Sequence, residues 1–296
     1  NLDGRHAELG MDVHRYASSV VRDYAGTVLL QRYSDFIGKS VCRFVNCIVY
    51  NFPNQVVQTP ASGGTDVHAR THANRIQTGR RDIDMFSFWE ESKYADFLLL
   101  NNGAKLMCPE SGKVLFNHVI PSETARLLIE TCLKENWQLH VTSGDYWAIN
   151  KWNDGLQSYI DYLGTAPVRY FRLEDTPWQR VEGFMVTADL IPVCQFIEQA
   201  KLPLTYTLSE DNCVDIMAQN ISKWGGLTEL MTLLKISADR VIAAGDYNND
   251  LPMIRGAGIG VAVANALPEV KAAADYITQS DCDHDAVAEI VEKYLI

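Results

Sequence analysis

Two acidic residues follow an apolar segment near the carboxyl end of the sequence. The segment, Val241 to Gly245, is short and lacks alternation, which is typical of a parallel strand covered on both faces. Asp246 comes directly after it, and Asp250 follows in the next turn. Open α/β sheets bind ligands at the carboxyl ends of their strands, and Mg²⁺ prefers carboxylate oxygens. The pattern therefore predicts a metal site in which Asp246 is a ligand and Asp250 is a second ligand or an anchor.

Two other interpretations of this acidic segment involve no magnesium. An EF-hand calcium loop is excluded, because Leu251 stands where that loop needs glycine and Ala257 where it needs glutamate. A turn rich in aspartate and asparagine that only caps the next helix stays open as the alternative.

The segment from Gly245 to Met253 has the form G-D-x-x-N-D-x-x-M. Through this motif the sequence resembles the haloacid dehalogenase-like (HAD) phosphatases, specifically the Cof-type sugar-phosphate phosphatases. The chain from Gly258 to Thr278 also resembles the closing part of that family. The resemblance implies Mg²⁺ as the cofactor and a contact between Asn249 and the substrate phosphate.

A lysine at the start of a predicted helix matches a further motif of the family. Lys223 precedes the apolar helix pattern that begins at Leu227. The resemblance implies that its charge holds the phosphate and the nucleophilic carboxylate together. Trp224 stands where the family usually has glycine, and a lysine taken alone would be an ordinary surface residue.

The sequence Thr78-Gly79-Arg80 resembles the phosphate-binding motif of the same family. The resemblance implies that the Thr78 hydroxyl and the neighbouring backbone N–H groups bind the transferred phosphoryl group, with Gly79 and Arg80 on the substrate. A predicted strand ending at Leu100 is followed by a turn that contains Asn102, which the resemblance also places on the substrate.

The nucleophile of the family is the first aspartate of a D-x-D-G-T motif, which this sequence matches only in part. Asp23 is followed by glycine and threonine at the expected positions, but Ala25 stands where the second aspartate should work as acid and base. The segment Asn1 to Arg5 is a poorer match. Asp23 is therefore the predicted nucleophile and second magnesium ligand, and an ordinary loop aspartate is the alternative.

Strand and helix patterns alternate from about residue 76 onward, which predicts an α/β fold with a doubly wound parallel sheet. We expect residues 1–104 to form the first part of a HAD-like core, with 1–75 irregular. Residues 105–212 form an inserted α+β cap, and 213–296 complete the core with the metal site. A reading-frame error upstream of about residue 76 would produce the same contrast between a patternless beginning and a well-matched remainder.

Charge and composition narrow the class of partner. The net charge is -11 and the sequence pI about 5.1, which argues against binding to nucleic acid. No apolar run approaches the roughly 18 residues needed to cross a bilayer. The seven cysteines include no CxxC pair, and the beginning of the chain lacks a signal-peptide pattern, so we expect a cytoplasmic protein. His68 and His72 have the spacing of a metal pair, but no helix pattern surrounds them.

The expected function is a Mg²⁺-dependent phosphatase that hydrolyses small phosphorylated metabolites, such as sugar phosphates, through an aspartyl-phosphate. The expected state is a monomer or homodimer that binds neither nucleic acid nor membrane. Because Ala25 cannot shuttle a proton, the alternative is a catalytically impaired HAD-like protein that acts in binding or interaction.

Overall fold

The computed structural model describes residues 45–50, 73–80, 96–109, 111–144, 146–152, 156, 160, 167–169, 180–210, 213–282, 284 and 286–294. Within these residues the strands form two separate sheets. The first sheet contains eight strands: β1 Val45–Tyr50, β2 Ala73–Arg80, β3 Phe97–Leu100, β4 Lys105–Cys108, β5 Lys113–Asn117, β12 Val241–Gly245, β13 Ile259–Ala262 and β14 Tyr276–Ile277.

Strand direction in the first sheet decides which loops meet at one edge. The order is β14-β13-β12-β1-β2-β3-β4-β5. Strands β12, β13 and β14 are mutually parallel, as are β2 and β3. Strand β1 lies between β12 and β2 and is antiparallel to both. Strands β2, β3 and β12 therefore run in the same direction, and their carboxyl ends share one edge.

The second sheet has six strands in the order β10-β11-β9-β6-β7-β8. They are β6 His140–Ser143, β7 Tyr146–Ile149, β8 Val168–Arg169, β9 Gly183–Val186, β10 Leu204–Glu210 and β11 Cys213–Ala218. Helices α1 Ser122–Lys134 and α2 Leu190–Gln199 belong to this part of the chain. Their apolar residues share a buried core with one face of the sheet, to which Leu128, Val193 and Ile216 contribute.

Four further helices accompany the first sheet: α3 Lys223–Leu234, α4 Leu251–Gly256, α5 Pro268–Ala273 and α6 Ala286–Tyr294. Leu227 and Leu230 of α3 pack in one core with Leu99 of β3. Ile290 of α6 packs with Ile242 of β12 in a different core. Continuous apolar strands such as β3 and β12 suit this arrangement because residues of both strand faces are buried.

The predicted α/β fold class is confirmed, with three differences in detail. Val45–Tyr50 forms strand β1 within the segment 1–75 that was predicted to be irregular. The first sheet is mixed, because β1 runs against its neighbours and β4 and β5 form an antiparallel extension. The predicted insert boundaries at residues 105 and 212 do not coincide with the sheet boundaries. Strands β4 and β5 (105–108 and 113–117) pair within the first sheet, and β11 (213–218) pairs within the second. Strand type is visible in a local pattern, but the pairing partner is chosen by long-range contacts.

None of the helices in the described part of the chain combines the length and the apolarity that crossing a membrane requires.

Candidate active site

The predicted motifs meet at the edge where β2, β3 and β12 end. Thr78, Gly79 and Arg80 form the last three positions of β2, beside Leu99 and Leu100 of β3 in the parallel register. Asp246 follows β12 directly. The sheet topology alone therefore brings together three segments that lie far apart in the sequence.

A buried ion pair lies at the centre of this edge. The Lys223 Nζ donates to Asp250 Oδ1 at 2.6 Å, and the two side chains are 4% and 0% exposed. The other oxygen, Asp250 Oδ2, accepts hydrogen bonds from the backbone N–H groups of Asp246 and Tyr247 at 3.0 and 3.2 Å. Both Asp250 oxygens are thus engaged by the protein, and this aspartate fixes the backbone on which Asp246 stands.

Lys223 reaches Asp250 from the first residue of helix α3. The Ser222 side chain caps this helix by accepting from the backbone N–H of Gly225 at 3.0 Å. Trp224, which departs from the family pattern, packs against Gly256 of helix α4. A Cβ built at Gly256 would lie 2.4 Å from the Trp224 ring, so only glycine leaves room for the indole there. The helix start is therefore retained in spite of the unusual tryptophan.

The turn after β3 is tightly constrained against the start of helix α3. Asn101, Asn102 and Gly103 all have positive φ angles, of 51°, 52° and 102°. Only glycine is free of strain in this region of backbone conformation. A Cβ at Gly103 would lie 2.2 Å from the carbonyl oxygen of Ser222, and one at Gly226 would lie 2.5 Å from that of Gly103. Left-handed backbone of this kind persists only where its surroundings hold it, and functional sites are enriched in it.

The Asn102 side chain links the two sheets across the site. Its Nδ2 donates to Asp215 Oδ2 at 3.0 Å, and Asp215 belongs to β11 of the second sheet. Its Oδ1 accepts from Asn249 Nδ2 at 3.2 Å. The remaining polar atom, Asn249 Oδ1, is buried and has no hydrogen-bond partner among the described residues. The two predicted substrate-binding asparagines are therefore in direct contact with each other.

A second buried charge ties the same turn to the second sheet. Glu182 is 5% exposed and accepts from Lys105 Nζ at 3.1 Å, Asn101 Nδ2 at 3.2 Å and Asn117 Nδ2 at 2.7 Å. It also accepts from the backbone N–H of Gly144. A buried carboxylate requires such compensation, since an unpaired buried charge is very unfavourable.

Two residues of the site, Asp215 and Glu182, were not predicted from the sequence. Both lie in or beside strands of the second sheet, where only the general position of an insert was predicted. For Asp215 a weak signal existed: it is the single charged residue of the otherwise uncharged strand Cys213–Ala218. For Glu182 no local pattern gives a signal.

The predicted nucleophile, Asp23, lies outside the described residues, as do His68 and His72. The structure does describe the strand that lies between β12 and β2. That strand is β1, and its antiparallel direction brings its first residue, Val45, opposite Thr78 at the site edge.

Asp246 has the chemistry of a divalent-cation ligand, because its carboxylate follows a strand end and its backbone is held by Asp250. Within the described residues no three acidic, histidine or cysteine side chains come together as a complete ligand set. A divalent cation bound by Asp246 would need further oxygen ligands from elsewhere in the chain.

A fold and a site of this kind are typical of hydrolases that act on phosphoric monoesters. Residues 66–291 match the protein family described as haloacid dehalogenase-like hydrolase. The chain belongs to this family, which confirms the resemblance and the enzyme class inferred from the sequence.

Individual relatives agree with the family. The stress response protein YhaX of Bacillus subtilis (strain 168) is 42% identical over 84 residues, which cover 28% of this chain and 29% of YhaX. The HMP-PP phosphatase of Yersinia pseudotuberculosis serotype I (strain IP32953) is 25% identical over 203 residues, covering 66% of this chain and 72% of that enzyme. A solved haloacid dehalogenase-like hydrolase from Bacteroides thetaiotaomicron superimposes with a TM-score of 0.64 at 28% identity, covering 72% of this chain and 83% of that one.

Proposed function

We propose that this protein is a Mg²⁺-dependent phosphatase that hydrolyses small phosphorylated metabolites, in particular sugar phosphates. The observation that carries the proposal is the buried Lys223–Asp250 pair beside Asp246. Lys223 is 4% exposed at a ligand-binding sheet edge, and the N–H donors of its ammonium group that Asp250 does not use would bind a phosphate oxygen.

The chain's own residues would bind and orient the phosphate. Lys223 stands at the amino-terminal end of α3, where the ammonium group and the helix dipole both favour an anion. Thr78 would donate its hydroxyl, and the backbone N–H groups of Gly79 and Arg80 would add donors. The second hydrogen of Asn249 Nδ2 would reach a phosphoryl oxygen, since one hydrogen is used by Asn102.

The proposed reaction has two displacements at phosphorus. A carboxylate oxygen of Asp23 would form a bond to phosphorus while the ester bond breaks, and the leaving alkoxide would take a proton from water. Water then attacks the aspartyl-phosphate, which releases phosphate and restores the carboxylate. Because Ala25 cannot supply that proton, the expected rate is about 10²- to 10⁴-fold below that of a chain with a general acid at this position.

The metal would be held by Asp246 and Asp23, and Asp250 would act as the anchor because both its oxygens are already engaged. When bound, Mg²⁺ supplies positive charge that offsets the charge of the phosphoryl oxygens.

The second sheet with helices α1 and α2 would form the cap. Strand β10 packs against the turn Asn248–Asp250, which supports a position of this part of the chain over the proposed site. A cover of this kind excludes water and contacts the leaving group. The cap would run from about residue 118 to about residue 221, between the two sheet boundaries.

The proposed setting is the cytoplasm, as a monomer or homodimer that binds small phosphorylated metabolites. The seven cysteines of the sequence include no CxxC pair, which supports a reducing compartment.

Hydrolysis of p-nitrophenyl phosphate with Mg²⁺ tests the proposal. We expect Asp246→Asn and Asp23→Asn each to reduce the rate at least 100-fold. Asp239→Asn is the matched control, because Asp239 is exposed and precedes β12 at its opposite end, so this variant should keep the wild-type rate.

Two results would separate the alternatives. If Asp23→Asn keeps full activity and Asp246→Asn loses it, the proposed metal site stands and the assignment of Asp23 as nucleophile is refuted. If turnover is undetectable but the protein binds phosphate, and Lys223→Met abolishes that binding, the catalytically impaired binding protein is favoured, which is the role that Ala25 suggests.

Translation of the coding DNA in the other frames tests the reading-frame hypothesis, which fails if neither frame contains D-x-D-G-T after a strand.

A further inference from the structure

Strand β11 presents two chemically different faces. Val214, Ile216 and Ala218 belong to the apolar core shared with helices α1 and α2. Asp215 and Met217 alternate with them and therefore lie on the opposite face, which is the face that contacts Asn102. The cap thus directs a carboxylate toward the phosphate site of the first sheet.

The residues beside Asp215 on this face are known from the strand register. Thr207 of β10 and Met185 of β9 lie directly opposite Asp215, and Thr205 lies opposite Met217. Cross-strand partners share a face of the sheet. Among these directly opposing positions Asp215 carries the charge, and its neighbours carry hydroxyl and thioether groups.

Hydrogen bonding fixes the direction of both asparagine amides. A carboxylate only accepts, so Asn102 must present its NH₂ group to Asp215 and its oxygen to Asn249. Asn249 then uses its NH₂ group toward Asn102, which leaves its own oxygen as the unpartnered atom. Acceptors therefore remain at both ends of the series Asp215–Asn102–Asn249.

The acceptor oxygens at both ends of this series can each receive a hydrogen bond from a further donor. Asp215 receives one hydrogen bond from the described residues, through Oδ2, and the oxygen of Asn249 receives none. The phosphoryl oxygens of a substrate are acceptors and match neither position. A leaving group that carries N–H or O–H would supply such a donor at the half-buried Asp215, whereas the Asn249 oxygen is itself buried.

We propose that Asp215 is a specificity-determining residue that selects phosphate monoesters whose leaving group bears a hydroxyl or an amino group close to the ester oxygen. The same carboxylate disfavours leaving groups with a second anionic group, because like charges would face each other in a covered site. This inference deepens the proposed function and depends on it for the phosphate position.

Four small phosphate esters with leaving groups of similar size provide the test: O-phosphoethanolamine, glycerol 1-phosphate, n-propyl phosphate and phosphoglycolate. They carry an amine, hydroxyls, no donor and a carboxylate, respectively. For the wild type we expect kcat/KM for the amine and hydroxyl esters to exceed that for n-propyl phosphate by about 10- to 100-fold, the range of a hydrogen bond to a charged group. Phosphoglycolate should be the poorest substrate.

Asp215→Asn is the informative variant because it retains an acceptor for Asn102. Its amide oxygen takes the place of Oδ2, which leaves the NH₂ group, a donor, to meet the leaving group. The preference for O-phosphoethanolamine over n-propyl phosphate should fall at least tenfold, and phosphoglycolate should gain. Glu130→Gln removes one charge from α1, on the other side of the cap sheet, and should leave all ratios unchanged.

Equilibrium binding of the four esters in EDTA gives an independent readout in which no metal-dependent turnover interferes. If wild type and Asp215→Asn show equal preferences among the esters, in both rate and binding, the inference about Asp215 is overturned. Hydrolysis of n-propyl phosphate in the same experiment would still uphold the proposed function. If the wild type hydrolyses none of the esters, the proposed function fails. The binding ratios of wild type and Asp215→Asn then decide the role of Asp215 by themselves.

Discussion

Replacing either Lys223 or Asp250 should destabilise the fold, and the losses of the two single variants should not add in the double variant. In Lys223→Met the fully buried Asp250 carboxylate loses its countercharge and keeps only two backbone N–H donors. Removing one partner of a buried pair costs about 3–5 kcal/mol. The two remaining donors favour the lower end, so we expect a loss of about 3 kcal/mol. At about 2–4 °C per kcal/mol for a large domain, the melting temperature should fall by about 6–12 °C.

Asp250→Asn should cost a similar amount for the opposite reason. The amide oxygen can still accept from the backbone of Asp246 and Tyr247, but the NH₂ group then faces the Lys223 ammonium, donor against donor. In the double variant the methionine removes that conflict. Its loss should therefore be smaller than the sum of the single losses by about 2 kcal/mol.

Urea unfolding of the wild type, the two single variants and the double variant measures this coupling free energy. Lys134→Met is the matched control, because Lys134 is 82% exposed and its pair with Glu135 contributes little. Strict additivity of the two single losses, or a loss below about 0.5 kcal/mol for Lys223→Met, would refute the view that this pair is a mutually dependent buried unit.

Three further predictions concern other parts of the chain. Gly245→Ala should cost at least about 3 kcal/mol in urea unfolding, because its Cβ would lie 2.5 Å from the Asp250 side chain. Burial raises the pKa of the Cys132 thiol to about 12, so iodoacetamide at about pH 8 should label half-buried Cys108 and spare Cys132 in the native protein. Burial alone would raise the pKa of Glu289, but hydrogen bonds from a tyrosine hydroxyl and two backbone N–H groups lower it. Its contribution to stability should therefore be present above pH 4.5 and be lost as the pH falls toward the lowered pKa.

Each of these predictions has its own control. Gly112→Ala introduces a Cβ that meets nothing within 4 Å, and should cost only about 1 kcal/mol for its positive φ. Labelling of Cys132 should appear once urea unfolds the chain; equal labelling in the native state would contradict its burial. Glu289→Gln should reduce the dependence of stability on acid pH, and an unchanged dependence would show that Glu289 does not contribute to it.

Much of the first sheet follows from local patterns. The unbroken apolar run Val241–Gly245 is a buried strand because each of its residues packs on one of two covered faces. The helix at Lys223 begins where Ser222 supplies a cap, which is a short-range signal. Strand β1 shows the limit. Its residues allow a strand, but its antiparallel direction depends on pairing with strands that lie 23 or more positions later in the chain.

The sequence by itself determined which residue types stand at the strand ends: Asp246 after β12, Asn102 after β3 and Thr78 in β2. Tertiary structure alone decided that Asp250 is held by Lys223, and that Asp215 reaches Asn102 across 113 positions of sequence. The physical reason is the range of the interactions. Periodicity and capping act over a few residues, whereas a hydrogen bond between two sheets forms only when the folded chain brings its donor and acceptor together.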